Sequence, residues 1–229
     1  MTLRLTGISS MATRALLAEL AEAFERHFGI ALAIEAVGGV DAAKRVAAGE
    51  AFDLVFLAAD AIDKLIGGGH LAAGSRVDLV RSPVAVAIRA GAPRPDIGSE
   101  EALKRAVLAA RTIGYSTGPS GTHLVKLFER WGVADEVKAR TVQASPGVPV
   151  ASLVAKGEVE IGFQQLSELM NVSGVEVLGQ LPGAAQFITT FSAAPGRERP
   201  NAAAARAALD FMTSAEAAAI KRRHGMEPA

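Results

Sequence analysis

The chain has 229 residues, half of them hydrophobic and about a fifth charged, enough to bury a sizeable core as one large or two small domains. Lys plus Arg and Asp plus Glu balance at 24 each with no basic cluster, so neither nucleic acid nor an acidic membrane is an expected partner. There is no cysteine, which excludes disulfides, thiolate catalysis and cysteine metal sites. Nor is there a run of about 18 apolar residues that could span a bilayer, so no membrane insertion is expected.

The sequence enters a strand at once, "MTLRLTGIS", with no basic segment, apolar stretch or small-residue cleavage site before it. That beginning predicts a cytoplasmic protein, or a periplasmic one if a leader has been removed. Periodicity then alternates strand and helix: strand Leu3 to Ile8, helix Ser10 to His27, strand Ala31 to Val37, helix Val40 to Ala48, strand Asp53 to Leu57, helix Asp60 to Ile66. "IGGGH" at Ile66 to His70 reads as the glycine end of that helix. A strand-rich passage from Arg76 to Gly91 interrupts the pattern. It restarts with a helix Ser99 to Ala109, strand Thr112 to Tyr115, helix to Trp131, strand Arg140 to Gln143, helix Val148 to Lys156 and strand Glu160 to Phe163. An apolar strand Gln186 to Ser192 and an Ala-rich helix after Pro200 complete the chain. Such βαβ grammar predicts parallel sheet.

The restart resembles the beginning. "GISSMATRALLAELAEAF" and "GYSTGPSGTHLVKLFERWG" each join a short strand, a hydroxyl-rich loop and an amphipathic helix, and Gly38 to Asp60 answers to Pro146 to Glu168. One offset of about 107 or 108 residues relates all three pairs of elements, predicting two similar α/β lobes. Ligands of open parallel sheets bind beyond the strand C-termini, where helix starts offer unpaired N–H groups and partial positive charge. Ser9, Ser10, Ser116, Thr117, Ser120 and Thr122 could add hydroxyl donors to an anion there. Alternatively, Ser9 or Ser10 caps one helix and Thr117 or Ser120 the other, with Pro119 in the first turn.

Other chemistry is compatible with single motifs. "GYSTG" matches a nucleophile elbow at Ser116, with Asp210 and His224 as the available partners, although both lie in helices that read as surface. His123 stands three residues after Ser120 and could act as an acid or base. His27, His70, His123 and His224 are too scattered for a metal motif, so neither metal nor cofactor is expected. Arg14, Lys44, Arg45 and Arg81 are the cations nearest the loops, and Arg81 is the one expected either to point inward or to salt-bridge the lobes.

In "SSMATRALLAELAEAFE", "AGEAFDLVFLAAD", "VAKGEVEIGFQQLSE" and the C-terminal "KRRHGMEPA", the chain resembles the type II periplasmic (solute-)binding proteins, in their molybdate-binding-protein-like branch. The resemblance covers essentially the whole chain. It implies an α/β fold of two similar lobes with mixed, mainly parallel sheets and a ligand cleft between them. Lobe 1 would comprise residues 1–80 and 185–229 and lobe 2 residues 81–184, with a hinge near 81–84 and 182–186. With the helix-start reading, the candidate ligand-binding positions are Ser9, Ser10, Met11, Gly38, Gly39, Val40, Arg81, Ser116, Thr117, Ser120, Gly121, Thr122, Gly147, Val148, Gln164 and Gln165.

Molybdate binders use a serine at the second helix start and a tyrosine after the late strand. Here those places hold Gly38, Gly39, Val40 and Asp41, and Gln164 and Gln165. With two hydroxyls missing and a carboxylate added, an organic carboxylate is a better expectation than molybdate. The resemblance implies the binding component of an ABC transporter, with a permease partner only if exported. The alternative is a cytoplasmic, cofactor-independent isomerase of a small di- or tricarboxylate, aconitate-isomerase-like, in which His123 would move the proton.

Overall fold

The structure, a computed structural model, describes residues 3–197 and 200–229. Its contacts divide the chain into one unit of Met1–Arg81 with Thr190–Ala229, and a second of Ser82–Thr189. The return crossing thus falls later than the expected 182–186. Residues 185–189 stay with the second unit because Ala185 is buried in its core, Val84 N donates to Phe187 O, and Thr189 Oγ1 accepts from Gln165.

In the first unit, β1 (Arg4–Ser10) lies parallel to both β2 (Ala31–Val37) and β3 (Leu54–Ala58). A 3-10 turn at Met11–Thr13 leads into α1 (Arg14–Phe28), so the first α-helix begins four residues later than its sequence pattern suggested. The helices α2 (Gly39–Ala47) and α3 (Ala59–Gly67) follow β2 and β3. Leu16, Leu17, Leu20 and Phe24 recur at helical spacing on α1 and meet Leu5, Leu32 and Phe56 from the strands in the main core. The other face, with Ile8, Val55 and Leu57, packs on Ala42, Val46 and Ile62 of α2 and α3. Strand alternation therefore decides which helix each β1 side chain meets.

The second unit repeats this plan: β5 (Ile113–Tyr115) is parallel to β6 (Thr141–Gln143) and to β7 (Ile161–Gln165). Its helices are α4 (Glu100–Ala109), α5 (Pro119–Arg130) and α7 (Val150–Lys156). β4 (Val77–Arg89), a single 13-residue strand, carries the chain from the first unit into the second and there pairs antiparallel with β7. Three elements were not evident in the sequence: α6 (Ala134–Val137), α8 (Leu166–Leu169) and β8 (Val175–Gln180), the last antiparallel to β4. The two helices are single turns, too short for a period to declare itself. Gly114 and Gly162 face each other in register, and a Cβ on either would come within 2.7 Å of Val159 or 2.6 Å of Val154, so α7 and its flank can lie directly on the sheet.

β9 (Ile188–Pro195) leads back into the first unit, where it runs antiparallel to β3, followed by α9 (Ala202–Met212), α10 (Ala215–Arg223) and β10 (Glu227–Pro228), which pairs with β4. Asp53 joins three of these parts. Its carboxylate accepts from Thr6 N at 2.8 Å, Thr6 Oγ1 at 3.0 Å and Asn201 Nδ2 at 3.4 Å. Asp53→Ala is therefore expected to destabilise the protein by about 2 kcal/mol, through loss of charge-assisted bonds and an unpartnered Thr6 amide. Asp53→Asn, which keeps an acceptor, should lose less than half of that in denaturant titration.

Candidate anion-binding elements

Side-chain caps distinguish two kinds of serine. Ser99 and Ser214 accept from backbone amides at the starts of α4 and α10. Ser10 caps nothing: its hydroxyl and that of Ser9 are buried and have no hydrogen-bond partner among the described residues. The capping alternative thus fails where the chain leaves β1. A buried hydroxyl without a partner costs free energy, and such exceptions call for an explanation.

The two serines face different surroundings. Ser10 adjoins the start of α2, where a Cβ on Gly39 would lie 3.5 Å from Ser10 Cβ. The α2 start itself has no side-chain cap, since Gly38 occupies that place, and its first intrahelical bond is Ala42 N to Gly38 O. The amides of Gly39, Val40 and Asp41 precede that bond. Ser10 Oγ and this helix start thus bring a hydroxyl and backbone amides without side-chain partners close together. Ser9 instead lines a furrow of about 490 Å³ in the first unit, with Arg14 of α1 and Leu32, Ile34 and Ala36 of β2. Arg14 makes no ion pair among the described residues and opposes the dipole at the start of α1, whereas Arg45 is neutralised by Glu35 and Glu50.

In the second unit Ser116 Oγ accepts from Gly118 N at 3.3 Å and lies 3.1 Å from Ser120 Oγ. One hydroxyl of that pair donates to the other, which leaves one proton free to donate outward. Thr122 Oγ1 donates to Gly118 O, so it is engaged locally, while Thr117 is half-buried beside the uncapped start of α5. Gly121 has a steric role: a Cβ there would lie 1.7 Å from Ser116 O. Gly147 shapes the turn before α7, and Val40 and Val148 are both exposed.

Several expected roles change in the folded chain. Gln164 Oε1 accepts from Val150 N and its Nε2 donates to Glu168 Oε1, each at 2.8 Å, so both ends are engaged. Gln165 Nε2 donates to Thr189 Oγ1 at 2.7 Å, and its Oε1 is buried without a partner. Arg81 is exposed rather than inward, and donates to Pro228 O because β10 pairs there. His123 stacks on Phe187 with centroids 4.3 Å apart, and its Nε2 donates to Ala185 O. Burial lowers the His123 pKa, favouring the neutral ring.

Asp210 and His224 are engaged with Arg206 and Glu19, and the partners of Ser116 Oγ are Ser120 and Gly118. The elbow motif therefore has no base against it among the described residues. Among the described residues no three His, Asp or Glu side chains converge as a metal set, and no helix is long and apolar enough to cross a membrane.

One group absent from the sequence reading stands out. Glu168, half-buried on α8 just after β7, has Gln164 as its hydrogen-bond partner and no ion pair among the described residues; burial pushes its carboxyl up to about 7.

These repeated units, with uncapped helix starts after parallel strands, are those of the type II periplasmic-binding-protein fold, in its molybdate-binding-like form. The molybdate-binding protein of Azotobacter vinelandii superposes with a TM-score of 0.78 at 20% identity, covering 97% of this chain and 98% of that one. The sulfate-binding protein SubI of Mycobacterium tuberculosis H37Rv gives 0.80 at 16% identity, covering 99% and 87%. The chain belongs to the family of bacterial extracellular solute-binding proteins, whose model matches residues 5–227. It is also 37% identical to an aconitate isomerase from a Pseudomonas species over 230 aligned positions, covering 98% of this chain and 87% of that protein.

Proposed function

We propose that this protein binds a small tricarboxylate of the aconitate type and isomerises it without a cofactor. The observation that carries the reading is the 37% identity to an aconitate isomerase across 98% of the chain. The chemistry of the residues supports it. Aconitate has three carboxylates, and uncapped helix starts with serine hydroxyls beside them occur in both units. Gln165 adds a group suited to a carboxylate: turned about its last bond it keeps Thr189, whose hydroxyl then donates, and places its NH2 at the buried position that has no hydrogen-bond partner. Gln164 has no such freedom, because Val150 N–H requires an oxygen opposite it.

The reaction needs a base, an acid and a shielded anion cradle, and no redox step. A second reading, favoured by the family itself, is a receptor that delivers a small anion to an ABC permease from the periplasm; the isomerase reading fits a cytoplasmic protein.

The test is proton NMR of cis-aconitate with the protein over hours, beside thermal shift against aconitate, tricarballylate, molybdate and sulfate. A ligand at about 100 times its Kd adds roughly 2.7 kcal/mol of stability. Conversion of cis-aconitate is expected; stabilisation by an oxyanion with no turnover would establish the receptor reading instead. Ser10→Ala is expected to weaken tricarballylate binding about tenfold with the fold intact, the effect of one hydrogen bond to a charged group. Unchanged affinity by calorimetry would remove Ser10 and the α2 start from the binding elements.

A further inference from the structure

We propose that the Glu168 carboxyl carries the proton in this isomerisation and that Gln164 positions it. The inference rests on the isomerase reading and adds to it a residue outside the expected site. Glu168 is a half-buried acid that forms no ion pair among the described residues. The elements that pack most closely on α8 are β7, α7 and β8. Their titratable groups are Lys156, in the last turn of α7 and in no ion pair among the described residues, and Glu176 of β8, which pairs with Arg94 at 3.0 Å. Neither bonds to Glu168. A carboxyl buried without a counter-charge is costly in a purely structural role, and catalytic acids and bases are found in such settings.

Its orientation is determined by the backbone. Val150 N–H, at the start of α7, requires the Gln164 oxygen, so the Gln164 NH2 must face Glu168 Oε1. That leaves Glu168 Oε2 as the atom for proton transfer. Burial holds the carboxyl near neutrality, up to about 7, where both protonation states are available at ordinary pH. His123, by contrast, has its Nε2–H committed to Ala185 O and its ring stacked on Phe187.

The step balances without a co-reactant. Glu168 takes a proton from the CH2 carbon of aconitate, and that C–H electron pair becomes the new C=C bond. The former double-bond electrons move to the vinylic CH carbon, which takes the proton back from the Glu168 carboxyl. The skeleton is again aconitate with its double bond on the other side.

The test compares the whole protein with Glu168→Gln and Glu168→Asp, using NMR of cis-aconitate for turnover and calorimetry of tricarballylate, which has no double bond to shift, for binding. Expected are conversion by the wild type, a loss of at least a hundredfold in kcat in Glu168→Gln with tricarballylate affinity within threefold, and partial activity in Glu168→Asp. The kcat/KM of the wild type should rise with pH around a midpoint of about 7. Gln164→Leu should move that rise to higher pH, because it removes the bond that favours the charged form.

Conversion by the wild type with Glu168→Gln within threefold would overturn the inference and leave the isomerase reading standing. Absence of conversion by the wild type would overturn both. A variant that no longer binds tricarballylate has lost its binding form, and Glu168→Asp then decides: wild-type kcat and an unmoved pH profile in that variant would overturn the proposal.

Discussion

Gly121→Ala should prevent the second unit from folding. The added methyl would sit 1.7 Å from Ser116 O, and backbone cannot yield as a side-chain end can. Relief would need the start of α5 to lift off the loop after β5, breaking the Ser116 to Gly118 and Ser116 to Ser120 contacts and pulling Leu124 and Leu127 from the core. The cost is expected to exceed about 4 kcal/mol, the range of severe overpacking and backbone strain. Soluble yield and circular-dichroism melting measure it. Gly118→Ala is the control: its Cβ would meet Ser116 Oγ at an ordinary 3.6 Å with φ at −82°, and a change under about 1 kcal/mol is expected. Equal behaviour of the two variants would show that the contact at Gly121 is not what holds the loop to the helix.

Glu168→Gln should make the protein more stable at alkaline pH, even as the same change is expected to remove its chemistry. In the folded chain the carboxyl is pushed up from 4.5 to about 7 by burial, while in the unfolded chain it titrates near its ordinary value. The folded state therefore holds the proton more tightly. This contribution is fully present below pH about 4.5 and is lost as pH rises through about 7. The span corresponds to about 3 kcal/mol. Above neutrality the wild type buries a bare carboxylate that the glutamine variant lacks, so the variant should gain up to that amount at pH 8 and little at pH 4.5. Glu19, Glu35, Glu50 and Glu100 are lowered by hydrogen bonds to Arg223, Arg45 or Trp131 and contribute with the opposite sign. They are common to both proteins and cancel in the difference. Parallel wild-type and variant stabilities from pH 4.5 to 8 in denaturant titration would contradict the buried, uncompensated state of this acid. The pairing of greater stability with lost turnover is the usual trade at a site built for function.

What the sequence determined by itself was local and periodic. Alternation in "LRLTGIS" and helical spacing in "LLAELAEAF" are sufficient to specify β1 and α1, since each pattern has one face to bury. The offset between the two halves likewise follows from order along the chain, and the parallel trios β2-β1-β3 and β6-β5-β7 are its realisation. Which polar groups remain without partners was decided only by tertiary structure, because a partner can come from anywhere in the chain. Arg81 is taken by Pro228, 147 residues away, and Asp53 is shared with Asn201, 148 away. Gln164 resembles a ligand residue until α7 starts against it and claims its oxygen. Ser9 and Ser10 read as equals in a line of text, yet one borders the α1 furrow and the other the start of α2. Glu168 carries no motif at all. Its character comes from burial without a nearby cation, a property that exists only once β7, α7 and β8 have closed around α8.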